Sequence, residues 1–134
     1  MIFVDTAAFL AIEIRKDAHH DRSVRFRDAC VKSREIFVTT DYVLDESYTI
    51  IRIKAGHSIA TGFGEAVRGT SLIQVEYLTR ERIEEAWDIF KTYSDHDFSF
   101  TDCTSFALMQ YLSIDTVFTF DHHFREFGKF IMKP

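Results

Sequence analysis

The feature that most constrains this chain is a regular exchange between two hydrophobic periods. Short runs rich in β-branched and aromatic residues alternate with longer segments whose apolar residues recur at helical spacing. The strand-like runs are residues 2–4 (IFV), 35–39 (EIFVT), 72–75 (LIQV) and 116–120 (TVFTF), with a short fifth at 130–132 (FIM). Helices are expected over residues 7–15, 19–33, 41–54, 59–67, 79–93 and 99–112, and Gly56 is placed to end the third of them. Strands alternating with helices predict a parallel sheet, because parallel neighbours need a crossover and a helix supplies it. The expected fold is therefore α/β: a three-layer α/β/α sandwich with a parallel central sheet.

At 134 residues, with 46% hydrophobic and 28% charged, the chain fits one globular domain spanning 1–134. One proline and five glycines leave little material for a linker. The net charge of −5 argues against a passive polyanion binder, whose affinity comes from cationic contacts. It does not exclude an enzyme acting on nucleic acid through a bound metal, because an ion among clustered acids reverses the local sign. Cys30 and Cys103 show no CxxC spacing and read as free thiols in a reducing compartment. The opening MIFVDTAAFLAI has no basic n-region and carries Asp5, so it reads as a strand and helix rather than a signal peptide. No apolar run approaches the ~20 residues needed to span a bilayer. A cytoplasmic protein is expected.

In open α/β sheets ligands bind beyond the carboxyl ends of the strands, so residues just past each strand come first. Asp5 follows the first strand and Asp121 the fourth. Each is equally readable as a helix cap, and a carboxylate with two oxygens can cap and bind a metal at once. On the third helix, Asp41, Asp45, Thr49 and Arg52 share a polar stripe, so Asp45 reads as a solvated surface acid. Glu46 instead falls with Tyr42, Val43, Ile50 and Ile53. A charge on an apolar stripe must be paired, protonated or metal-bound, and a salt bridge to a buried arginine is the structural alternative. In DHDFSFTDCTSF, Asp95 and Asp97 read as exposed in a turn with His96, Asp97 being a possible auxiliary. Asp102 has the S-x-x-D spacing of a capping box with Ser99, yet it shares a helix face with Ser105, Phe106 and Met109 and so also points inward.

Asp5, Glu46, Asp102 and Asp121 thus form the candidate set. Brought together, they would repel one another unless a cation sat among them. Oxygen ligands select a hard ion, Mg²⁺ or Mn²⁺. The histidine pairs His19-His20 and His122-His123 offer no tight zinc spacing, and they read as surface residues.

Four segments in order resemble a known family: MIFVDTAAFLA, TTDYVLDESYTIIR, DFSFTDCTSFALMQ and FTFDHHFREFG. Over nearly its whole length the chain resembles the PIN-domain ribonucleases found as toxins in VapBC toxin–antitoxin pairs. The resemblance implies the sandwich fold already read from the pattern. It also implies a metal-dependent endoribonuclease acting on single-stranded RNA, with Mg²⁺ or Mn²⁺ held by Asp5, Glu46 and Asp102. Many relatives place the fourth acid directly before the phenylalanine that is Phe124 here; this chain has His123 there, and Asp121 stands in. Thr6, Thr101 and Ser105 are candidates to orient the acids or ion-bound water. Arg52, Lys54, Arg68 and Arg125 are candidates to hold the RNA backbone. An antitoxin partner and a homodimer are further implications, the fourteen phenylalanines suiting an apolar interface. The competing expectations are a non-catalytic interaction module, in which the acids only cap and pair, and a stand-alone RNA-processing nuclease. A phosphoryl-transfer enzyme with Asp5 as nucleophile ranks lower, since DTAAF offers no aspartate two residues on.

Overall fold

The computed structural model describes residues 1–134. Its elements run β1 (Ile2–Val4), α1 (Thr6–Glu13), α2 (His20–Lys32), β2 (Phe37–Thr40), α3 (Asp41–Ala55), α4 (His57–Gly69), β3 (Ile73–Glu76), α5 (Arg80–Thr92), α6 (Phe100–Leu112), β4 (Thr116–Phe118), α7 (His123–Phe127) and β5 (Ile131–Lys133). All five strands lie in one sheet of order β3-β2-β1-β4-β5, and every pairing is parallel. The α/β expectation therefore holds. The one element missed is α7, a five-residue helix ended by Gly128 in a left-handed conformation.

The register explains the layering. Val4 pairs with Phe118, Ile2 with Phe37, and Phe37 with Ile73, so these side chains share one face. There they meet Phe9 and Ile12 of α1, Val31 of α2 and Phe63 and Val67 of α4 around an apolar cavity. Phe3, Val38 and Val117 alternate to the opposite face and are fully buried. Burial on both faces requires helices on both, which is why these strands read as unbroken apolar runs.

Local chemistry sets the helix ends. The Thr40 hydroxyl accepts from the Val43 N–H to start α3, and that of Thr79 accepts from Arg82 to start α5. Gly56, at φ +96°, separates α3 from α4, a conformation that a Cβ would oppose. Ser99 and Asp102 form a reciprocal capping box at the start of α6.

The phenylalanine excess is absorbed mainly by the core. Phe106 stacks on Phe127 at 4.3 Å between centroids and meets Phe98 and Phe124 edge-on at 5.2 and 5.0 Å. This ring cluster ties α6 to α7 and the segment before α6. Replacing its centre, Phe106→Ala, removes buried area and leaves a cavity, at an expected cost of about 3–5 kcal/mol in urea unfolding. A loss under about 1 kcal/mol would show that the cluster does not anchor this end of the fold.

Candidate functional site

Reversal of strand order places the cleft. From β1 the chain passes to β2 and β3 on one side, then returns to β4 and β5 on the other. The crevice between the carboxyl ends of β1 and β4 is the switch point where ligands bind in such sheets. Asp5 leaves β1 at that point, with its backbone N–H bonded to the Phe118 carbonyl of β4. A cleft of about 240 Å³ opens there, lined by Asp5, Thr6, Ala7, Leu10, Glu46, Ser99, Asp102, Asp121 and His123. All four candidate acids line it. Asp97 does not; it is exposed in the turn before α6, as is Asp95, and Asp45 is an exposed surface acid of α3.

Each carboxylate is held by one oxygen. Asp5 Oδ2 accepts from the Thr119 hydroxyl at 2.9 Å and from the Ala7 N–H at 3.4 Å. Glu46 Oε2 accepts from the Thr6 hydroxyl at 2.7 Å. Asp102 Oδ2 accepts from the Ser99 N–H at 3.0 Å and lies 2.8 Å from His123 Nδ1. Asp121 Oδ1 accepts from the His123 N–H at 2.9 Å. These contacts converge on one oxygen of each carboxylate. Capping is therefore real for Asp5 and Asp102, while Asp121 accepts from the His123 N–H without being the N-cap of α7.

No lysine or arginine forms a salt bridge with any of the four. The arginine that could have neutralised Glu46 is elsewhere: Arg82, the buried one, pairs with Glu81 and Glu85 and lies over the Tyr111 ring. The stripe holding Glu46 is also not the core face that its apolar neighbours suggested. Of those neighbours only Val43 is fully buried, Tyr42 and Ile50 are half-buried and Ile53 is 77% exposed.

Burial and mutual repulsion set the charge state. Asp5 is pushed up to about 7, by burial first and then by the Asp102 charge, against the pull of the Thr119 hydrogen bond. Asp102 is also raised, by burial first, with the Ser99 N–H opposing and the Asp121 charge adding. For His123, burial acts downward, but the charge of Asp121 and the bond to Asp102 outweigh it and the group is raised.

Two features escaped the sequence reading. His123 is not a surface residue: its side chain is 17% exposed and bonds into the acid cluster, whereas His122 is 70% exposed. His19 stacks flat on Phe120 at 4.1 Å. Thr119 takes the role of holding Asp5. Thr6 holds an acid as expected, but the Ser105 hydroxyl is spent on the Thr101 carbonyl, so neither member of that pair touches the cleft acids. The signal for His123 lay in its spacing: a helix from 123 puts it one turn before Phe127, on an inward face. Of the basic residues, Arg52, Lys54, Arg68 and Arg125 are all exposed, and Arg68 donates to the Tyr48 hydroxyl and the Gly64 carbonyl.

The pKa directions make a stability prediction. Asp5 and Asp102 sit above their ordinary values and His123 is raised too, so each contributes most when protonated. The Asp5 contribution is fully present below the ordinary 3.8 and is lost as pH rises through about 7. In the absence of divalent ions, Tm should fall between about pH 4 and 7, and Asp5→Asn should remove much of that fall, on the order of a few kcal/mol. Differential scanning fluorimetry across pH measures this; equal falls in both proteins would contradict it.

A family model described as "PIN domain" matches residues 2–130. The chain is 31% identical to the 23S rRNA-specific endonuclease VapC20 of Mycobacterium tuberculosis, in strains CDC 1551 / Oshkosh and ATCC 25618 / H37Rv, over 100% of this chain and 99% of the relative. It also superposes on the crystal structure of Mycobacterium tuberculosis VapC20, described as a sarcin–ricin loop cleaving toxin, with a TM-score of 0.88 at 30% identity, covering 98% of this chain and 97% of that one. The chain belongs to the PIN-domain family, of the VapC type.

Proposed function

We propose that this protein is a metal-dependent endoribonuclease that cuts single-stranded RNA, and that it is the toxin of a VapBC-type pair. The observation carrying this reading is the cleft itself: acids from the end of β1, from α3, from the start of α6 and from beyond β4 line one opening with no lysine or arginine bonded to any of them. Such a donor set suits a hard divalent cation, Mg²⁺ or Mn²⁺, which also relieves the repulsion that raises Asp5 and Asp102. When bound, the ion supplies neutralisation of the scissile phosphate and acidification of an attacking water.

The chain's own groups do the rest. Asp5, Glu46, Asp102 and Asp121 are the ligands in this reading. Thr119 fixes the Asp5 carboxylate and Thr6 that of Glu46, so both face the cleft before an ion arrives. With a net charge of −5, affinity for an RNA backbone near the cleft depends on that ion. The names of the relatives favour a ribosomal RNA loop as the target, since an exposed loop offers unpaired backbone to a shallow cleft. An antitoxin that covers the acids and a homodimeric assembly complete the proposal. No helix is long and apolar enough to cross a membrane, and the site of action proposed is the cytoplasm, where ribosomal RNA is found.

The test is cleavage of a labelled RNA. Purified protein should cut with Mg²⁺ or Mn²⁺ and stop with EDTA. Asp5→Asn, Glu46→Gln and Asp102→Asn should each lose on the order of 10²-fold or more in rate while circular dichroism stays unchanged. Full activity in Asp5→Asn, or undiminished cutting in EDTA, would reject the assignment. A folded protein that binds neither Mn²⁺ nor RNA would favour a non-catalytic interaction module, in which the carboxylates serve only as caps.

A further inference from the structure

The cleft holds one donor that is not oxygen. His123 opens α7, and that short helix is fixed by Phe124 and Phe127, both buried in the ring cluster. The Phe98 ring meets the imidazole edge-on at 5.5 Å, so the side chain is gripped from the core side. Its Nδ1 lies 2.8 Å from Asp102 Oδ2 and 3.4 Å from Asp121 Oδ1. Neighbouring ligands on an octahedral ion with bonds near 2.1 Å stand about 3 Å apart, and the two separations bracket that edge length. The three donors that lie within 4.8 Å of one another are those of Asp121, His122 and His123, and Asp102 joins them through its contact with His123.

We infer that His123 contributes its Nδ1 to the metal centre beside Asp102 and Asp121, making the centre a mixed nitrogen–oxygen site. The inference rests on the metal-dependent reading above and goes beyond it. Without an ion, the 2.8-Å contact is a hydrogen bond from Nδ1–H to the carboxylate. An ion held there would take both atoms as ligands, the imidazole giving up its Nδ1 proton to solvent. The consequence is selectivity. Mg²⁺ holds to oxygen, whereas Mn²⁺, Co²⁺ and Zn²⁺ accept imidazole, with affinity rising in the order Mn²⁺ < Co²⁺ < Zn²⁺ along that series. Expectation from the carboxylates alone was indifference between Mg²⁺ and Mn²⁺; the imidazole tips the site toward Mn²⁺. A histidine that merely braces Asp102 from outside would leave that preference unmoved.

Two readouts independent of activity test this on the full chain. Electron spin echo envelope modulation of the Mn²⁺-loaded protein reports directly bonded ¹⁴N, and calorimetry with MnCl₂ and MgCl₂ gives the ratio of the two affinities. The wild type should show nitrogen modulation, His123→Asn should lose it, and His122→Ala should keep it. His123→Asp, which restores oxygen, should lower the Mn²⁺:Mg²⁺ affinity ratio roughly tenfold. Mn²⁺ bound by the wild type without nitrogen modulation, or an unchanged ratio in His123→Asp, overturns the inference and leaves the nuclease reading standing. Failure of the wild type to bind either ion overturns both.

Discussion

Asp5 is buried, sits within the field of Asp102 and Asp121, and forms no ion pair with any basic side chain. A charge in that position is costly, and the protein does nothing to neutralise it. Its one close hydroxyl partner, Thr119, orients the carboxylate more than it compensates it. The rest of the structure can be understood as the scaffold that keeps this arrangement in place. A fold selected for stability alone would have placed an arginine there, as it does for Glu81 and Glu85 around Arg82. Unrelieved repulsion at one spot, amid satisfied groups elsewhere, is what the proposed cation would relieve.

The sheet makes this possible by pinning the cluster from several directions. Asp5 and Thr119 stand at matching ends of adjacent parallel strands, one step past the Val4–Phe118 pair, so hydrogen bonding in the sheet fixes their separation. Asp102 is held by the capping box at the start of α6, and α6 is anchored by Phe106 in the ring cluster. Glu46 reaches in from α3 and is tied to α1 through Thr6. The carboxylates are therefore positioned by backbone and core, and the proposed ion would require little rearrangement.

Much of this was legible in the sequence. The alternation of strand and helix gave the parallel sheet, and the topology rule led to the acids after β1 and β4. Asp102 was legible because a capping residue that also shares a face with Phe106 and Met109 must look both ways. Glu46 was chosen for a partly mistaken reason: of its apolar stripe only Val43 belongs to the core. His123 was missed because adjacent histidines were judged as a pair. The two rings lie 4.5 Å apart, yet only His123 is sunk into the cleft, at 17% exposure against 70% for His122. Thr119 could not be read at all, since its partnership with Asp5 depends on β1 and β4 being neighbours, and strand order is set by tertiary packing. Asp97 had the right residue type and lay near the right helix, but it sits before the cap and points to solvent.

The central claim is that these acids are gathered to hold an ion. Anomalous diffraction at the manganese edge, from crystals of this protein soaked in MnCl₂, tests it most directly. One strong peak is expected in the cleft, with oxygens of Asp5 and Asp102 within bonding distance. A cleft without a peak, its carboxylates apart or bridged to one another by shared protons, would contradict it.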